Sequence, residues 1–170
     1  MHRHGYFSFA AVSLAIVLNI AVSGISTARE MPEFTLTDQD GRERVVKYPQ
    51  SKVSVFVVAD HKGSSEIAGW ITPLAQRYDR NIEVAGIAAL PGIPPMFQGL
   101  FRREFKKRLA FPVMLDWTGE IARSVGYESD RAQLLVVSRS GRVALTKSGA
   151  ANDKALAEVV STIDRLRANP

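Results

Sequence analysis

The chain has 170 residues, no cysteine, and a formal charge of +5 from 22 basic and 17 acidic side chains. That length suits one compact core, and the missing sulfur excludes disulfide exchange, peroxide reduction through a thiolate and any cysteine metal site, since each needs the sulfur itself. The basic excess is mild and no long basic tract occurs, so nucleic acid is not an expected partner, while a small anion or an anionic surface is compatible with it.

Residues 1–28 read as a secretory signal peptide. A short basic start (Arg3, with His2 and His4) precedes an apolar run over residues 7–22 and then a small-residue stretch, with Ser26 and Ala28 at the two positions a signal peptidase requires. Cleavage is expected after Ala28. The apolar run is shorter than the ~20 residues that span a bilayer and is diluted by Ser8, Ser13 and Asn19, so no stable membrane anchor is expected once the leader is gone. Acylation as a lipoprotein would need a cysteine. The expected mature chain, residues 29–170, is periplasmic or secreted, carries +4, and keeps His61 as its single histidine.

After the leader, residues 34–37 alternate like a strand, Asp38, Gln39, Asp40 and Gly41 form a turn cluster, and residues 45–48 are the expected return strand. Asp38 and Asp40 lack the remaining ligand positions of a calcium loop, which leaves a turn. Residues 53–59 are nearly all apolar, the pattern of a central strand covered on both faces. Asp60, His61, Lys62 and Gly63 then form a loop. Ser64 or Ser65 is expected to cap a helix reaching about Asp79, with Glu66 in its first turn and Ile67, Trp70, Ile71, Leu74 and Tyr78 on its buried side.

A second hydrophobic strand over residues 83–89 runs into a Pro- and Gly-rich stretch at 90–95 where helix cannot propagate. Helix resumes over residues 96–108, with Phe97, Leu100, Phe101 and Phe105 expected inward and Arg102, Arg103, Lys106, Lys107 and Arg108 outward as its wet face. Residues 113–116 give a third strand and residues 119–125 a brief helix. Residues 134–137 and 143–146 pair as a hairpin around Arg139, Ser140, Gly141 and Arg142. The last helix starts from Asn152 as cap and runs to about Arg167, packing through Ala155, Leu156, Val159, Val160, Ile163 and Leu166. No repeat or linker interrupts this order, so one α/β domain is expected.

That order resembles the thioredoxin-like superfamily, with the extra helix of peroxiredoxins and periplasmic thiol oxidoreductases. The stretches carrying the likeness are Phe34-Thr-Leu-Thr-Asp-Gln-Asp-Gly41, Phe111-Pro-Val-Met-Leu-Asp116 and Val136-Val-Ser-Arg-Ser-Gly-Arg-Val143. Within it the chain is most similar to YtfJ-like periplasmic proteins, through Pro91-Gly-Ile-Pro-Pro-Met-Phe97, Asp116 with Gly119, Gly141-Arg-Val143 and Gly149-Ala150. The resemblance implies a three-layer sandwich, a central mixed β-sheet flanked by helices. It also places the two redox thiols of a thioredoxin near Lys62 and Ser65, and the facing cis-proline at Ala132 or Gln133. A serine hydroxyl is too weak an acid to replace a thiolate, and a cis bond without proline costs ~3 kcal/mol, so a trans bond is expected there.

The implied docking surface comprises Asp60, His61, Lys62, Gly63, Ser64 and Ser65 with Ala132 and Gln133, taking a protein segment or a small anion. An anion would use the amide donors of the helix start. His61, Asp60 and the two serines also permit a hydrolase reading, weakened because a triad draws its members from separate segments. No cofactor is expected. One histidine and the scattered carboxylates Asp116, Glu120, Glu128 and Asp130 give no metal-ligand spacing. The expected function is an exported binding or assembly module without thiol redox activity. The alternatives are a redoxin working with a partner's thiols and a hydrolase using His61.

Overall fold

A computed structural model describes residues 29–108 and 111–169; the expected leader lies outside the described residues. Two sheets form. The smaller is the hairpin β1 (Phe34–Thr37) with β2 (Glu43–Val46), in register Phe34 opposite Val46 and Thr37 opposite Glu43. The return strand therefore begins two residues earlier than alternation suggests. Asp38 is the cause: its Oδ1 accepts the amides of Asp40 and Arg42, each at 2.9 Å, closing the turn before Glu43. Its Oδ2 takes the Arg44 guanidinium at 2.8 Å. This fully buried carboxylate organises the turn.

The larger sheet has the order β5-β4-β3-β6-β7. β3 (Ser54–Ala59), β4 (Glu83–Ala89) and β5 (Val113–Asp116) run parallel, while β6 (Gln133–Val137) and β7 (Val143–Ser148) add antiparallel pairs. Every residue of β3 is buried, as expected of a strand covered on both faces. One face bears α1 (Ile67–Tyr78), which follows a 3₁₀ turn at Gly63–Glu66, and α4 (Asp153–Ala168). Val55, Val57, Leu134 and Val136 meet Trp70, Leu74, Val159 and Ile163 there.

Along the same face, α2 (Pro95–Arg108) covers β4 and β5 through Phe105, against Ala88, Leu90, Val113 and Leu115. The opposite face turns Phe56, Val58, Ile87 and Met114 toward the hairpin and α3 (Glu120–Ser124), packing against Phe34, Val46 and Ala122. Helix caps follow the side chains expected to make them at α4, where Asn152 accepts the Ala155 amide at 2.9 Å. At α3 the N-cap is Gly119, and Asp116 just upstream accepts first-turn amides instead, Glu120 on Oδ1 at 3.2 Å and Ala122 on Oδ2 at 2.9 Å.

The edge of β5 is closed by a side chain. Gln39, expected only as a turn residue, donates through Nε2 to the Phe111 carbonyl at 3.0 Å and accepts the Val113 amide on Oε1 at 2.8 Å. Its carboxamide thus stands in for a neighbouring strand and blunts the edge.

Candidate functional site

β3, β4 and β5 are parallel, so their C-terminal ends share one edge of the sheet, and Asp60 stands just beyond the end of β3. Three side chains lock the loop that follows to residues 127–132. Asp60 Oδ1 accepts the Gly63 amide at 2.9 Å and Oδ2 the Asp130 amide at 2.8 Å. Glu66 accepts the Ala132 amide at 2.8 Å. The Tyr127 hydroxyl accepts the Asp60 amide at 2.8 Å and donates to the Arg131 carbonyl at 2.9 Å. Lys62 spans the same junction as an exposed ion pair with Asp130 at 2.9 Å.

Partial burial pushes the Asp60 carboxyl upward. The amides of Gly63 and Asp130, the Tyr127 hydroxyl and the Lys62 amide together outweigh that effect and hold it below the ordinary carboxylate range. Tyr127 moves the other way, pushed up to about 12 mainly by burial and by the Asp60 charge. Asp60 is therefore an ionised anchor whose lone pairs face inward.

Gly63 explains how closely the two loops approach. A Cβ at this position would lie 2.4 Å from the Arg131 carbonyl carbon and 2.8 Å from the Ala132 nitrogen, closer than any side chain is accommodated. The backbone that Gly63 approaches so closely belongs to this chain.

The two serines do not cap α1. Ser64 Oγ donates backward to the His61 carbonyl at 2.6 Å, and no side-chain cap bond forms at either the 3₁₀ turn or α1. The 3₁₀ turn intervenes and shifts the α-helical start to Ile67, so the job expected of serine passes to Asp60 through the Gly63 amide. No hydrogen bond among the described residues joins the His61 imidazole to Ser64, Ser65 or Asp60.

Ala132 and Gln133 are both buried, at 0% and 4% exposure, Ala132 in the core beneath α1 and Gln133 toward the other face of the sheet. Gln133 Nε2 donates to the Val125 carbonyl at 3.1 Å, and the Ala132 carbonyl accepts the Gly149 amide at 2.7 Å. Both peptide bonds flanking Ala132 are trans. Of the expected set, His61, Lys62, Ser64 and Ser65 are exposed and Asp60 is half-buried.

Sequence reasoning passed over Glu66 as a cross-loop acceptor, Tyr127 and Asp130. Asp130 adopts a left-handed φ of 76°, a backbone state that Asp enters more readily than most residues. The polar run Glu128-Ser-Asp130 was the available signal for a turn there.

No protein-family model matches the sequence, and no curated protein does. Solved structures do match. A Chlorobium tepidum protein assigned as the thiol:disulfide interchange protein DsbE superposes with a TM-score of 0.64 at 16% identity, covering 82% of this chain and 96% of its own. The exposed lipoprotein thioredoxin Etrx1 of Streptococcus pneumoniae gives 0.61 at 18%, over 76% and 98%. The fold is thioredoxin-like. A thio-disulfide isomerase from Thermus thermophilus gives 0.57 at 21%, over 79% of this chain and 94% of that one.

At such identities the likeness is one of architecture. This thioredoxin-like domain has no cysteine anywhere, so it cannot perform by its own residues the thiol exchange named for those neighbours. No described helix is long and apolar enough to cross a membrane.

Proposed function

We propose that this thioredoxin-like domain is an exported, YtfJ-like binding or assembly module that carries out no thiol chemistry of its own. The supporting observation is the exchange of function within the loop after β3. Lys62 and Ser65 stand where the fold's reactive thiols are expected, and the surrounding polar groups are spent on holding two loops together. What remains outward is a platform of His61, Lys62, Ser64 and Ser65.

A protein segment suits this platform better than a small anion. Lys62 stands beside two carboxylates, Asp130 and Asp60, whose charges outnumber its own and oppose an anion. A preorganised surface loses little entropy on docking, which favours recognition.

The test places a photo-crosslinking amino acid at Ser65, with a control at exposed Ser161 on α4. Discrete adducts in the native host are expected from position 65 alone, and they should disappear when Gly63→Val forces the loops apart. Reduction of insulin disulfides or thiol-dependent peroxide consumption by the purified protein would overturn the proposal in favour of a redoxin. Ester hydrolysis abolished by His61→Ala would overturn it in favour of a hydrolase.

A further inference from the structure

Three of the four large apolar side chains left exposed among the described residues stand in the first two turns of α2: Met96 at 81%, Phe97 at 48% and Leu100 at 52%. Single exposed hydrophobics are ordinary, but a cluster calls for a cover. It lies in a stretch, residues 90–100, that carries no charged side chain. Beyond it α2 becomes basic, with Arg102, Arg103, Lys106, Lys107 and Arg108 against Glu104 alone.

Met96, Leu100, Arg103 and Lys107 follow one another at spacings of four, three and four, so they form a single row along the helix. All four are exposed. The row is apolar at its N-terminal end and cationic at its C-terminal end. At about 1.5 Å per residue, Met96 and Arg103 are about 10 Å apart along the axis.

We propose that the first two turns of α2 seat reversibly on an anionic lipid surface. Met96, Phe97 and Leu100 enter the boundary between headgroups and acyl chains, and Arg103, Lys106 and Lys107 meet lipid phosphates. Lys106 is paired with Asp40 at 3.1 Å and Lys107 with Glu104 at 3.6 Å. These are solvent-exposed pairs of small worth, readily exchanged for phosphate.

A lipid surface supplies an apolar layer beneath an anionic one, in the order that the row presents. A second copy of this chain does not fit as well, because it would set one basic helix against another. One such patch gives weak, reversible attachment. The start of α2 lies at the same sheet edge as the loop after β3, since β3 and β4 are parallel. Seating would therefore hold the platform at residues 60–65 close to the membrane.

The test is co-sedimentation of the exported, processed protein with vesicles of phosphatidylglycerol and phosphatidylethanolamine, against phosphatidylcholine alone. Binding to the anionic vesicles only is expected. Arg103→Gln with Lys107→Gln should weaken it about 30-fold, from about fivefold per lost charge near the surface. Met96→Ser with Leu100→Ser should weaken it at least tenfold, with an unchanged circular dichroism spectrum. No sedimentation with anionic vesicles would overturn the proposal. So would binding that survives the serine pair, which would mark plain charge adsorption. A concentration-dependent dimer lost in the serine pair, without vesicle binding, would overturn it in favour of self-association.

Discussion

α1 and α2 are both amphipathic by sequence and lie on the same face of the sheet, yet they are sealed unequally. Ile67, Trp70, Ile71, Leu74 and Tyr78 of α1 are all buried, whereas α2 leaves Met96, Phe97 and Leu100 largely outside. The surface offered to each helix accounts for this. Beneath α1 lies the middle of the sheet, with α4 beside it. Beneath α2 lies only the edge, where β5 has four residues, about 13 Å of strand, against a helix of 14 residues and about 21 Å. Periodicity states that a helix has an apolar side; the size of the opposing surface decides how much of it is covered.

The comparison breaks most severely at Trp70. Its side chain is wholly buried, and its indole Nε1 donates to the Gly149 carbonyl at 2.8 Å, tying α1 to the segment after β7. Trp70→Ala removes the largest fully buried side chain and is expected to cost about 3–5 kcal/mol. Chemical denaturation measures it. A cost near that of a surface substitution would mean that α1 is no better sealed than α2.

The loop that feeds α1 is next. Gly63→Ala drives a methyl group into the Arg131–Ala132 backbone and is expected to cost about 1–3 kcal/mol by overpacking. The same change at Gly99, where an added Cβ meets nothing within 4 Å, should stabilise α2 slightly through helix propensity. A shared response would erase the difference between the two helices.

Asp60→Asn acts on the same junction through charge. An amide nitrogen cannot accept the Asp130 or Gly63 amide, so one of the two bonds is replaced by opposed donors, at about 1–3 kcal/mol near neutral pH. The Asp60 carboxyl is held below its ordinary range when folded, so its contribution is present above the unfolded-state value and is lost as pH falls through the folded one. The melting-temperature gap between the two proteins should therefore be widest near pH 7 and close in acid, as pH falls below the ordinary carboxylate range. A gap independent of pH would show that the carboxylate is not the anchor.

Local signals carried most of the fold. β1, β4 and β5 fall where apolar alternation or continuous apolar runs place them, and Asn152 caps α4 as its residue type suggests. Position after β3 also singled out the loop at residues 60–65. What holds that loop was not legible, because Asp60 with Asp130, Glu66 with Ala132 and Asp60 with Tyr127 are pairs more than 60 residues apart that no local period reports. The serines misled for a related reason: a 3₁₀ turn occupies the residues that would otherwise open the helix, and a distant backbone sets that turn. β2 was misplaced by two residues because a buried side chain closes the turn, with Arg44 as its partner.

The smallest expected effect is the sharpest test of unequal sealing. Met96→Ser with Leu100→Ser replaces two exposed apolar side chains that contribute little buried area to the folded domain, so the change in stability should stay within about 0.5 kcal/mol. A matched pair on α1, Ile71→Ser with Leu74→Ser, removes side chains at 3% and 1% exposure and should unfold the domain or come close to it. Paired denaturation curves in the absence of lipid compare the two. If the α2 pair cost several kcal/mol, Met96 and Leu100 would be core residues in solution, and the uncovered stripe on which membrane seating depends would not exist.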